Sequence, residues 1–534
     1  MSMLAGGAAV ALSATAALAA DDWPMATYDV ANTRHAVGET IIGVDNVARL
    51  APKATIATGG NNWATAIIGA EGAFIVDQGG MLSNVDPKTG EVAWQHPISD
   101  YNGVENSVVR TSPVYGGGMV FMGDRGGANM IAVDAASGDL VWITDLDAHP
   151  NAQITGSPII LGDVLYVGVS SAGAYQQVDG RIRSNFRGSL VALDINTGDE
   201  LWRSYTIPEN GGAMDSWSGG AIISSPAIDV ASDTIYFHGD HYYGQPEEVL
   251  ECLTAAPDDW DPSCYPPDAL ANALIAADLH TGEVKWSFIA SGPDAYEMVC
   301  SELPSITWQI PVQHFRMCPP AGDWVNWGFA VGSPNLFTAT IDGVERELVG
   351  VGQKSGFYWT FDAHTGEVVW ATWVGPFSEP GGLAQGAAYD GERLYVSVAN
   401  MEYTPHFVGM APCAGGVCAM SDHDETPIWG GSWAALDPAT GAILWQTAEP
   451  SNSPVYGSPT VANGVVYVSS LAPTGSQMFA LSAETGEILW EFEAGGSVTS
   501  NPAVVDGHVY WGSGFGLFGG APNDKFYVFT VDGR

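Results

Sequence analysis

The chain has 534 residues, with 17 Lys and Arg against 60 Asp and Glu; the formal net charge of −43 excludes a nucleic-acid partner held by basic contacts. Charged residues make up only 14% and hydrophobic residues 46%, so the acidity belongs to a folded globular protein with a large core, not to a disordered acidic chain. The 66 Gly and 32 Pro exceed average usage and demand many turns, which excludes an all-helical bundle.

The first element is the apolar run from Met1 to Ala20, ending Ala17-Leu18-Ala19 before Ala20-Asp21-Asp22. Its small-residue spacing reads as a signal peptide cleaved near Ala19, which makes residues 21–534 an exported, periplasmic protein. No other stretch approaches the roughly 20 apolar residues of a membrane-spanning helix.

A repeat dominates the rest of the chain. Asp86-Pro-Lys-Thr-Gly-Glu-Val-Ala-Trp94 returns as Asp134 to Trp142, Asp194 to Trp202, Asp278 to Trp286, Asp362 to Trp370 and Asp437 to Trp445, and as a variant, Ser482 to Trp490, in which Ser replaces Asp. Each copy reads as a hairpin: an Asp that caps the turn, a Gly that supplies positive φ, and a strand ending on a large aromatic. A second strand pair stands upstream of most copies, as in Gly156-Ser-Pro-Ile-Ile-Leu-Gly-Asp-Val-Leu-Tyr-Val-Gly168, with analogues at Thr111-Ser-Pro113, Ser224-Ser-Pro226, Gly332-Ser-Pro334 and Gly457-Ser-Pro459. Units of four short antiparallel strands, A to D, at this spacing are the blades of a β-propeller. Ser497 to Phe529 supplies only three strands, and Ala51 to Thr58 is expected to add the fourth and close an all-β ring of eight blades. The repeated Trp is expected to pack between neighbouring blades.

Strand parity says which end of the ring is elaborated. The A–B and C–D turns share one end, and the Asp-x-x-Thr-Gly turns are C–D. All the long insertions (171–187, 204–218, 242–274, 290–326 and 399–430) fall in B–C or D–A connections at the other end. Loops set on a rigid scaffold are where function concentrates. Insertions 242–274, 290–326 and 399–430 hold all six cysteines. None of these lies in a Cys-x-x-Cys-His haem motif or a zinc spacing, and the local pairs 252/264, 300/318 and 413/418 are expected as disulfides that staple one loop each.

These repeats, with the opening Trp23-Pro-Met-Ala-Thr-Tyr-Asp-Val-Ala-Asn-Thr-Arg-His35, resemble the quinoprotein alcohol dehydrogenases, eight-bladed propellers that bind pyrroloquinoline quinone (PQQ). Phe186-Arg-Gly-Ser-Leu-Val-Ala-Leu-Asp194 and Val349-Gly-Val-Gly-Gln-Lys-Ser-Gly-Phe357 look most like the polyvinyl-alcohol dehydrogenase branch. The resemblance implies that Arg110 and Thr155 contact PQQ carboxylates and ring oxygens, that Ser170 and Ser171 line the cofactor, and that Lys354 hydrogen-bonds the quinone oxygen and the catalytic carboxylate. It makes Asp240 a Ca²⁺ ligand, a hard cation needing oxygen donors. It places the base in Gly292-Pro-Asp-Ala-Tyr-Glu297, where Asp294 and Glu297 are both candidates. Two positions depart from the pattern: Gly173 stands where the alcohol dehydrogenases place a calcium-binding Glu, and Ile223 where they place the Trp under the cofactor. Asp179, in the same insertion as Gly173, is the candidate replacement ligand.

The activity this implies is oxidation of an alcohol, secondary or polymeric, by removal of the hydroxyl proton by Asp294 or Glu297 with hydride transfer to PQQ. With no haem motif in the chain, the expected electron acceptor is a separate soluble cytochrome c, steered by the acidic surface. Two rivals stand beside this reading. One is a non-catalytic propeller that serves binding or assembly, which Gly173 and Ile223 favour; the other is a metal-dependent hydrolase, for which the sequence supplies no nucleophile or ligand cluster.

Overall fold

The computed structural model describes residues 22–171, 176–178, 181–214, 216–255, 262–289, 328–329, 332–378, 380–383, 385–408 and 427–534. The leader, Gly173, Asp179, Asp294, Glu297 and the pairs 300/318 and 413/418 lie outside the described residues.

In each Asp-led repeat, the Asp caps its turn as its residue type suggests. Asp278 Oδ1 accepts the amides of His280 and Thr281 at 3.0 and 3.1 Å, and the other Asp-led turns repeat this geometry. In the variant copy the Ser482 hydroxyl accepts from the Thr485 amide at 3.3 Å. The strands on either side of these turns build eight antiparallel blades of four strands each, the third extended by a fifth, two-residue strand, Ala152–Gln153. Blade 1 runs from Ile67 to Pro97, blade 2 from Val114 to Asp145, blade 3 from Ile159 to Tyr205, blade 4 from Ala227 to Ile289, blade 5 from Asn335 to Trp373, blade 6 from Ala388 to Ala448 and blade 7 from Thr460 to Phe492. Blade 8 takes three strands from Ala503 to Val531, and Leu50–Ala57 pairs with Lys525–Val531 as its outermost strand, closing the ring with the beginning of the chain. No helix of the described residues is long and apolar enough to cross a membrane.

The repeated Trp fastens each blade to the next. Every one of the seven indoles donates its Nε1–H to a backbone carbonyl of the following blade at 2.8–3.2 Å; Trp202 reaches Leu279 O, and Trp490 reaches Leu50 O in the closing strand. The turn Gly has a second role at this contact. Gly282 has φ +72°, and a Cβ there would stand 2.6 Å from Trp202 Cε3, so the indole face lies where any side chain would project. Trp202→Ala is therefore expected to cost about 3 kcal/mol through lost burial and a lost hydrogen bond. Gly282→Ala is expected to cost about 2 kcal/mol, falling to the left-handed penalty of about 1 kcal/mol when Trp202 is also Ala. Urea midpoints of the two single variants and the double variant check this; additive losses would show that the two residues do not meet.

A feature absent from the repeat reading occupies the central channel. Residues 23–36 run around its inner wall and hydrogen-bond the innermost strands of six blades. Trp23 exchanges two bonds with Ile68 at 2.9 Å, and the carbonyls of Pro24, Val30, Ala31, Thr33 and Arg34 accept from Tyr115, Ile228, Leu336, Tyr389 and Val461 at 2.7–3.0 Å. Asn32 Nδ2 donates to Pro226 O and Pro334 O, tying blades 4 and 5 to the same segment. Most of these partners stand beside the A–B turns, so this collar lies toward the short-turn end of the channel. The other end carries the described part of the insertion 242–274. There the helix Glu247–Ala255 is joined to the following loop by a Cys252–Cys264 disulfide, and Trp217, Tyr242, Val249 and Tyr265 pack a small core of their own.

Candidate active site at the elaborated end of the channel

Blade 3 supplies the first pair of site residues. Its second strand, Val164–Ser171, is long enough to pair both with its neighbours in the blade and with Ala152–Gln153 just before the blade begins. That extra pairing brings Thr155 Oγ1 to 2.7 Å from Ser170 Oγ, and Ser170 donates to Gln153 O at 3.0 Å. Both side chains are buried, and Ser171, at the strand end, is half-buried.

Arg110 precedes the innermost strand of blade 2 and is half-buried. Its guanidinium makes no hydrogen bond or ion pair to any described residue. Its electrostatic neighbours are Arg125 and Tyr456: partial burial and the like charge of Arg110 push Arg125 below its usual range, while burial raises the Tyr456 hydroxyl against the opposing pull of Arg110. Arg125 Nε donates to Gln153 Oε1 at 3.2 Å, linking the two arginines to the Thr155–Ser170 pair. Two adjacent cations without a carboxylate partner among the described residues make a seat for an anion.

Asp240 and His241 leave the second strand of blade 4 and are held from both sides. The Asp240 amide donates to Ala221 O at 2.8 Å, and Ile222 on the same segment donates to Val169 O at 3.2 Å, so residues 221–222 bridge Val169, the neighbour of Ser170, to Asp240. Ile223, next in the chain, is half-buried, and a Cβ on Gly156 would come within 3.2 Å of its carbonyl carbon. Gly219 (φ +108°) lets the bridge run against the His241 backbone, since a Cβ there would be 2.3 Å from His241 O.

Blade 5 contributes Lys354 from a turn locked by Gln353, whose Oε1 accepts from Ser355 Oγ at 2.6 Å and from Trp359 Nε1 at 2.9 Å. Lys354 is 8% exposed. Its Nζ lies 3.1 Å from His241 Nε2, which is also 2.9 Å from Asp240 Oδ1. Burial alone would raise the Asp240 carboxyl, but His241, Lys354 and His238 outweigh it and hold the carboxyl at about 2.

Arg110, Thr155, Ser170, Asp240 and Lys354, drawn from four blades, thus stand on one connected network at the elaborated end. Gly328, which follows the segment containing Asp294 and Glu297, accepts the Lys354 amide at 3.2 Å, and a Cβ on it would meet His241 Cε1 at 2.6 Å. Sequence reasoning missed His241 and Arg125. The signal for His241 was its place directly after Asp240; Arg125 stands in the blade 2 B–C loop, on the same face as the singled-out residues.

The donors fit PQQ, an acidic planar quinone: an arginine with no carboxylate partner among the described residues for a carboxylate, hydroxyls for ring oxygens, an ammonium for a quinone oxygen. A metal fits less completely. Asp240 offers one half-buried carboxylate, but no set of three His, Cys, Asp or Glu ligand atoms closes around it among the described residues, whereas Ca²⁺ takes about 6–8 oxygens.

Fold and site together define an eight-bladed, tryptophan-docked propeller with a cluster of cationic and polar side chains from four blades at one end of its axis. The chain belongs to the family described as outer membrane protein assembly factor BamB (PQQ_2), whose profile matches residues 73–244 and 430–525, half of the sequence. It is 26% identical to a polyvinylalcohol dehydrogenase of Pseudomonas sp over 96% of this chain and 78% of the relative. It is 27% identical to a polyvinylalcohol dehydrogenase of Sphingopyxis sp. (strain 113P3) over 89% of this chain and 71% of that one. The solved quinohemoprotein alcohol dehydrogenase ADHIIG of Pseudomonas putida HK5 superposes with a TM-score of 0.70 at 18% identity, covering 96% of this chain and 81% of its own, a likeness of fold.

Proposed function

We propose that the chain is a PQQ-dependent alcohol dehydrogenase that oxidises a secondary or polymeric alcohol to the carbonyl. The observation that carries this reading is the convergence of Arg110, the Thr155–Ser170 pair and Lys354 from blades 2, 3 and 5 on one end of the channel. Alcohol oxidation removes a proton from oxygen and a hydride from carbon, and PQQ when bound supplies the hydride acceptor. Arg110 holds a cofactor carboxylate, Thr155, Ser170 and Ser171 fix the ring, and Lys354 donates a hydrogen bond toward negative charge that develops during the reaction. Asp294 or Glu297 takes the hydroxyl proton. Asp240 serves as one oxygen ligand of a Ca²⁺ or related cation.

The electrons leave through a soluble cytochrome c, whose basic docking face the −43 charge attracts. A periplasmic location is part of this reading and agrees with the Cys252–Cys264 disulfide, a bond that persists in oxidising compartments. The second reading is a non-catalytic assembly scaffold, favoured by the description of the matching family and by Ile223 in place of an aromatic floor. Apoprotein supplied with PQQ and Ca²⁺ or a lanthanide ion separates the two. Quenching of tryptophan fluorescence by PQQ and dye-linked oxidation of a panel of primary, secondary and polymeric alcohols support the dehydrogenase; neither signal leaves the scaffold.

A further inference from the structure

We infer that the channel collar holds a small inorganic anion of the halide class between the Arg34 guanidinium and the Tyr358 hydroxyl. The site is separate from the proposed cofactor site and does not depend on that reading. Arg34 is 3% exposed, and among the described residues its side chain donates two hydrogen bonds, both from Nη1, to Asn32 O at 3.3 Å and Ala387 O at 2.9 Å. Asn335 Nδ2 already donates to these same two carbonyls, at 2.5 and 2.7 Å. Nη1 thus shares neutral acceptors, and Nε is buried with no acceptor among the described residues. A guanidinium cannot shed its charge at neutral pH, and a buried charge is costly unless an opposite one meets it.

No carboxylate among the described residues touches it. Asp29 is the acid whose charge reaches Arg34, but its carboxylate is occupied by the amides of Ala31 and Thr33 at 3.1 and 3.0 Å and by the Thr33 hydroxyl at 2.6 Å. Burial also raises the Asp29 carboxyl, which weakens it as a counter-charge. Blade 5 supplies a second donor. Tyr358 is 1% exposed, its ring stacks on Trp370 with centroids 5.9 Å apart, and its hydroxyl has no partner among the described residues. Burial raises that hydroxyl against the pull of Arg34, so it stays an O–H donor within electrostatic reach of the guanidinium. Two glycines that lack positive φ make room for the pair: a Cβ on Gly386 would stand 2.5–2.7 Å from the guanidinium atoms, and one on Gly350 would stand 2.5 Å from Tyr358 Oη. A cationic N–H and a neutral O–H, with no acid in contact, suit one spherical anion. Water would satisfy the donors and leave the charge unmet.

The test compares urea midpoints of the full chain in sodium chloride and in sodium gluconate at equal ionic strength, and reads anomalous scattering from crystals soaked in sodium bromide. The midpoint is expected to be higher in chloride and to rise with its concentration, because an ion that binds only the folded state stabilises it by mass action. A bromide peak is expected beside Arg34. Tyr358→Phe, which removes just the hydroxyl, is expected to weaken the apparent chloride affinity by about 10-fold, the range for a lost hydrogen bond to a charged group. Arg34→Met is expected to abolish the chloride dependence; if it does not fold, the Phe variant carries the comparison. Arg110→Gln is expected to leave the dependence intact, which separates the collar from the cofactor site. Equal midpoints in the two salts, or crystals with no bromide peak at Arg34, overturn the proposal. So does a chloride effect that Arg110→Gln removes and Tyr358→Phe spares.

Discussion

Lys354→Ala is expected to lower kcat by on the order of 10²–10³ while PQQ affinity falls less, because the lost donor matters most where charge develops during the reaction. Lys354 is buried beside a histidine and within reach of Asp240, so its ammonium acts in surroundings where water screens little. Truncation leaves the polar pocket open to water, which replaces a fixed donor with mobile ones. Stopped-flow turnover of PQQ-loaded protein, with cofactor occupancy measured on the same sample, separates the two effects. A variant that turns over at the wild-type rate with PQQ bound would remove Lys354 from the chemistry and shift the cofactor-facing cation to Arg110 or Arg125.

The second large effect belongs to the base. Of Asp294→Asn and Glu297→Gln, the variant that removes the proton acceptor is expected to lose on the order of 10²–10⁴ in kcat. The other should stay near wild type. The loss should shrink as pH rises, since hydroxide or an ionised alcohol then substitutes for the missing carboxylate, so kcat profiled from neutral to alkaline pH identifies the base by slope as well as size. If both variants keep wild-type rates at neutral pH, the segment from Gly292 to Glu297 does not supply the base.

What the sequence disclosed and what it concealed divide along a physical line. The blade turns are local: Asp278, Thr281, Gly282 and Trp286 lie within nine residues, and each makes its turn contact or ends its hairpin much as its residue type suggests. The closing strand was also legible, because Ser497 to Phe529 is one strand short and Leu50–Ala57 is an unclaimed strand elsewhere in the chain. Parity alone put Arg110, Thr155, Asp240 and Lys354 on one face. The Gly282–Trp202 contact was harder to see, since positive φ already explains the glycine and hides its second reason. His241 and the collar were invisible for a stronger reason. His241 meets a lysine 113 positions away in another blade, and the Trp23 to Ala36 segment has no strand periodicity because it borrows its hydrogen bonds from six different sheets.

That borrowed bonding changes how the ring must assemble. A stack of repeats joined only to neighbours can fold or fray one unit at a time. The collar instead ties residues near the start of the chain to partners as distant as Val461. The segment synthesised early cannot complete its contacts until seven blades have been made, which gives the protein a high contact order and a slow final step. Once that step is taken, a blade cannot open without disturbing a segment shared by five others, so the propeller should behave as one cooperative unit and not as eight.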